Sequence, residues 1–117
     1  MSIQNALASV AVKDLEAATS WYEKLLGTSA SRPMPEVSEW HFERGGGLQV
    51  YHLPERAGSC SATLAVDDID AEISKLQRLH IKGHRLPKND RVNVVMIKDL
   101  DGNSIAIAEA LDPSLAH

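Results

Sequence analysis

The sequence predicts an α+β domain assembled from two βαβββ copies of one unit, and two features carry that prediction. First, Ser9-Val10-Ala11-Val12-Lys13-Asp14 recurs 54 residues on as Thr63-Leu64-Ala65-Val66-Asp67-Asp68, each copy an alternating strand that runs into a helix. Second, each copy is followed by short apolar runs separated by turn residues, so both halves continue as strands. A chain of 117 residues, 44% hydrophobic, supplies one core rather than two. The expected organisation is a single domain over residues 1–117, with module 1 at about 3–56 and module 2 at about 59–112.

In module 1, residues 3–13 alternate as a strand and Asp14 offers a helix N-cap. Leu15, Ala18, Tyr22 and Leu25 form a stripe at helical spacing, closed by Gly27. Residues 28–38 hold Pro33, Pro35 and several Ser, which reads as a loop with room for a short edge strand. Strands at 40–44 and 48–53 flank three consecutive glycines, a hairpin signal, and residues 54–59 form the linker. The pattern then restarts with a strand at 62–66. Asp68 caps a helix whose stripe is Ile69, Ile73, Leu76 and His80, with Gly83 ending it. Residues 87–90 turn, 92–98 form a strand, and Asp101-Gly102 leads into a last strand at 104–109. A weak strand after each helix completes βαβββ.

Composition narrows the function. Twelve basic residues against sixteen acidic give a net charge of -4 with no basic stripe, which argues against nucleic acid. No apolar run approaches the ~20 residues that cross a bilayer, so no membrane partner is expected. Cys60 is alone and no secretory leader is evident, which points to a cytoplasmic, reducing location.

The phrase Val-Lys-Asp-Leu-Glu-Ala at 12–17, followed by Trp21, Tyr22, Leu26 and Gly27, resembles the vicinal oxygen chelate superfamily, as does Lys-Asp-Leu-Asp-Gly-Asn-Ser-Ile-Ala-Ile at 98–107. That superfamily includes glyoxalases, bleomycin resistance proteins and ring-cleaving dioxygenases. The resemblance implies that the two modules form a strongly curved mixed sheet whose concave face holds the ligand. It also implies metal-ligand positions on the first and last strand of each module, which here fall on Leu7, Gln49, Ser61 and Ala106. Leucine and alanine have no lone pair to give a divalent metal and a neutral hydroxyl is a poor ligand. No metal and no cofactor are expected.

Strand parity supports the same face independently. Ala8, Val10, Val12, Leu48, Val50, Ala62, Leu64, Val66, Ile105 and Ile107 share one apolar face, fit to lie under the helices. The opposite face carries Leu7, Ser9, Gln49, Tyr51, Ser61, Thr63, Ser104 and Ala106, small and weakly polar with one aromatic. These eight, with Trp40 as an aromatic whose face the alternation leaves open, are the candidate ligand-binding residues.

Other signals are read as structural. His80 and His84 are separated by a helix-ending glycine, His41 and His52 sit on neighbouring strands in unknown register, and the terminal His117 is expected to be disordered. Asp99, Asp101 and Asn103 form a turn rather than a calcium loop, because Gly102 is misplaced and strands flank it. Glu43 lacks a positioned partner and no catalytic residue is assigned. The expected function is a metal-free relative of bleomycin resistance proteins that binds a small, partly aromatic molecule. The alternative is a lyase or dioxygenase of the superfamily with a non-standard site. A homodimer is expected, since so short a curved sheet leaves apolar edges exposed.

Overall fold

The computed structural model describes residues 2–112, so the reading of His117 lies outside the described residues. In chain order the elements are β1 (Leu7–Val12), α1 (Leu15–Leu26), β2 (Ser31–Met34), β3 (Val37–His41), β4 (Gly47–His52) and a 3-10 turn at Pro54–Arg56. The second series is β5 (Ser61–Val66), α2 (Ile69–Arg78), β6 (His84–Arg85), β7 (Val92–Lys98) and β8 (Ser104–Ala110). Two four-stranded mixed sheets result, ordered β1-β4-β3-β2 and β5-β8-β7-β6. In each, the first strand runs parallel to the last and the remaining neighbours are antiparallel. The duplicated α+β plan is therefore present, weak strands β2 and β6 included.

Both helices begin as their sequences dictate. The Asp14 carboxylate accepts the Ala17 N–H at 3.1 Å, and Asp68 accepts from the N–H groups of Asp70 and Ala71, each cap contributing about 1 kcal/mol. Leu15, Ala18, Tyr22 and Leu25 are buried on α1, and Ile69 and Leu76 on α2. Gly27 closes α1 in the left-handed region.

The end of α2 departs from expectation. The helix stops at Arg78, before His80, because Ile81 turns back and donates its N–H to the Leu76 carbonyl at 2.9 Å while packing on the core. His80 takes the left-handed position at φ 58 that glycine usually fills in such a reversal. Gly83 has a different task. A Cβ there would stand 2.8 Å from the Val95 Cγ2 methyl, so the connector passes too close to β7 for any side chain.

The third strand is also displaced. It covers Val37–His41 instead of 40–44, and residues 42–46 form the hairpin turn, with the Phe42 N–H donated to the Gly46 carbonyl at 3.2 Å. Burial of Ser38 and Trp40 on the helix side sets this register. Pro33 is accommodated because β2 is an edge strand, where a missing N–H removes no ladder bond.

One apolar cluster draws on both modules, from Val10, Tyr22 and Trp40 to Val95, Ile97 and Ile107. The sheets themselves stay separate, and a polar knot joins them beside β1. Asn103 is fully buried: its Oδ1 accepts the N–H groups of Gly58 at 2.8 Å and Cys60 at 2.9 Å. Its Nδ2 donates to the Ala11 carbonyl at 2.8 Å and to Asp99 Oδ2 at 2.9 Å. Asp99 also accepts the Tyr22 hydroxyl at 2.7 Å and the N–H groups of Asp101 and Asn103. Burial, and then the Asp99 charge, push the Tyr22 phenol upward, so it remains a donor. Asp101 Oδ1 accepts the Lys13 N–H at 3.3 Å. The Asp99 to Asn103 segment is a turn as expected, and it is also the clasp between modules.

Replacing Asn103 by alanine orphans two N–H groups and a carbonyl in the interior. A loss of about 3 to 5 kcal/mol is expected, read as a lower denaturation midpoint at unchanged m-value.

Candidate functional site

The sheet faces turned away from the helices carry the candidate residues in two groups. On the first sheet Leu7 pairs with Gly47, Ser9 with Gln49, and Ala11 with Tyr51, while Gln49 also pairs with Glu39 across β3. On the second, Ser61 pairs with Ser104 and Thr63 with Ala106, and Ala106 pairs with Met96 across β7. Corresponding rows therefore read Ser9, Gln49, Glu39 in module 1 and Thr63, Ala106, Met96 in module 2. The first row is polar and the second nearly apolar.

The polar row is hydrogen-bonded throughout. Ser9 Oγ donates to Gln49 Oε1 at 3.1 Å, and Gln49 Nε2 donates to Glu39 Oε1 at 2.7 Å. The other Glu39 oxygen meets His41 Nε2 at 2.9 Å. These bonds, with the Gln49 amide first and His41 second, hold the Glu39 carboxyl below its ordinary value. Gln49, Glu39 and Tyr51 are half-buried, whereas Ser9 and His41 are exposed. This row presents a carboxylate, an amide and a hydroxyl, and Tyr51 stands two residues along β4 from Gln49, paired with Ala11 and Val37. On the second sheet Lys98 Nζ donates to Ser104 Oγ at 2.7 Å.

The profile of the Glyoxalase/Bleomycin resistance protein/Dioxygenase superfamily matches residues 4–107. The chain belongs to that superfamily. Among solved structures, a glyoxalase/bleomycin resistance protein from Catenulispora acidiphila DSM 44928 is 34% identical with a TM-score of 0.82, covering 92% of this chain and 99% of that one. TnmS3, an antibiotic binding protein from Streptomyces sp. CB03234, is 24% identical with a TM-score of 0.80, covering 94% and 98%. The oxidase ChaP-H2 shares the fold at 17% identity and a TM-score of 0.76, covering 93% and 94%. No curated protein matches the chain.

The side chains at the four positions expected from the resemblance to be metal ligands supply few free donor atoms. Leu7 and Ala106 have no donor atom, and the amide oxygen and nitrogen of Gln49 are both engaged by Ser9 and Glu39. Among the described residues no three of His, Cys, Asp and Glu gather at one point.

Trp40 does not belong with this face. It is 2% exposed on the helix side, its indole N–H donated to the Thr28 carbonyl at 3.0 Å and its ring 6.1 Å from that of Tyr22. Its removal from the candidate list follows from the register of β3. His41 and His52 lie on opposite faces, because His52 shares the parity of Leu48 and Val50. Glu43 sits exposed in the hairpin turn. Sequence reasoning missed Glu39, although the alternation of Val37, Glu39 and His41 against Ser38 and Trp40 contains the signal.

A carboxylate with a depressed folded-state value stabilises above its unfolded value and loses that contribution as pH falls through the folded one. Wild type is therefore expected to exceed Glu39→Gln in stability at neutral pH, with the gap closing as pH falls below the ordinary glutamate range, as measured by urea denaturation across pH.

Proposed function

We propose that this superfamily member is a binding protein that works without the metal centre and holds a small, partly aromatic molecule on the sheet faces opposite the helices. The contributing side chains are Leu7, Ser9, Gln49 and Tyr51 from module 1, and Ser61, Thr63, Ser104 and Ala106 from module 2. Within this reading the chain is one domain of two modules, located in the cytoplasm and acting as a homodimer. The observation that carries the reading is the row Ser9, Gln49, Glu39, a set of hydrogen-bonding groups beside Tyr51 with no ligating side chains at Leu7 and Ala106. Apolar walls with a few placed polar groups suit recognition of a mostly apolar ligand. The likeness to an antibiotic binding protein is consistent with it.

A second reading rests on one contact. Glu39 and His41, 2.9 Å apart, form a pair able to relay a proton, which would serve a lyase or dioxygenase with a non-standard site.

Protein purified without chelator should contain no stoichiometric zinc, iron, manganese or nickel, and should bind planar aromatic antibiotics in calorimetric titration. Tyr51→Ala should weaken that binding about tenfold, the loss of roughly 1.4 kcal/mol of ring contact. Stoichiometric metal at the outer face, or unchanged affinity in the variant, would remove this reading.

A further inference from the structure

A cavity of about 720 Å³ opens at the margin of module 2, away from the row just described. Trp21 of α1, Ile81 of the α2–β6 connector, and Ile97 and Leu100 at the end of β7 give it apolar walls. Its existence follows from the shortness of β6, which pairs with β7 only at Met96 and Val95. The Leu86 N–H extends the pairing to the Val94 carbonyl, and among the described residues no strand pairs with β7 on this edge at Ile97 and Lys98. The Trp21 indole is braced by Tyr22, ring centroids 4.8 Å apart and planes at 79°, so one wall is a rigid aromatic surface.

The exposed charged side chains of the lining are both lysines. Lys82 and Lys98 line the cavity, both exposed, and neither forms an ion pair with a carboxylate among the described residues. His80 and His84 stand beside them, His80 in the left-handed backbone noted above. The acid in the lining, Asp99, is buried and already accepts four hydrogen bonds from Tyr22, Asn103 and two backbone N–H groups. A smaller hollow of about 230 Å³ adjoins across Trp21, Ile81 and Leu100 and adds Lys24. Positive charge thus rims apolar walls in a space of the size that drug-like ligands fill.

We infer that this cavity is a second ligand site, for a small aromatic carboxylate whose ring lies against Trp21 and whose anion meets Lys82 and Lys98. Ring burial supplies the apolar contact, and charge-assisted hydrogen bonds from the ammonium groups select the anion over a neutral isostere. The site adjoins the proposed outer-face site at Ser104, whose Oγ accepts from Lys98 Nζ, and at Met96, but holds none of Ser9, Gln49 or Tyr51.

The test uses naphthalene-2-carboxylate and its neutral amide as probes on the whole chain. Calorimetry should show the carboxylate preferred about tenfold over the amide, with tryptophan fluorescence quenched in wild type and unquenched in Trp21→Phe. Lys82→Glu and Lys98→Glu, both surface changes, should each lower carboxylate affinity about tenfold and leave amide affinity unchanged. Tyr51→Ala should leave carboxylate binding intact, which separates this site from the outer-face reading. Equal binding of acid and amide, affinity unmoved in both lysine variants, or no binding at millimolar probe would overturn the inference. So would a dimer that shields Trp21 and dissociates in Lys98→Glu, since a second copy would then occupy the cavity.

Discussion

The buried carboxamide of Asn103 is the constraint on which the rest of this fold depends. Two four-stranded sheets, each complete within itself, meet with no shared ladder. Apolar burial holds them together but does not fix their relative position, because hydrophobic contact is non-directional. Direction comes from Asn103, whose two polar atoms reach the linker at Gly58 and Cys60, β1 at Ala11, and Asp99 in its own turn. Asp99 extends the network to Tyr22 on α1. The relative placement of the two outer faces therefore rests on a handful of hydrogen bonds around a buried side chain, where leaving any one unmade is expensive.

Much of this was legible in the chain. The repeat, the Asp14 and Asp68 caps and the β7 and β8 runs are local signals, and local chemistry decided them. The errors arose where distant contacts decide. Trp40 had no assignable face until the register of β3 on β4, Ser38 opposite Val50 and Trp40 opposite Leu48, was known. Glu39 was hidden for the same reason, in the gap between the loop read at 28–38 and the strand read at 40–44. At the end of α2, Gly83 looked like a helix stop because glycine usually is one. Its actual role is steric, against Val95, a contact no window of sequence reveals.

The outer-face residues show how a duplicated unit diverges without losing its backbone. Equivalent rows have become Ser9, Gln49, Glu39 and Thr63, Ala106, Met96, while the pairing register beneath them is the same. A sheet tolerates this because alternate side chains leave the ladder untouched. One half thus presents hydrogen-bonding groups and the other mostly apolar area.

The clasp is also lopsided in what it asks of β1. On that strand it grips main-chain atoms alone, the Ala11 oxygen, with the Lys13 nitrogen just beyond it held by Asp101. Ala11 is fully enclosed, so its place demands little more than a small side chain. The chemical burden of joining the halves sits in the five-residue stretch from Asp99 to Asn103. Change at the outward positions Leu7 and Ser9 leaves the clasp untouched, whereas change in that stretch dissolves the alignment of the two sheets.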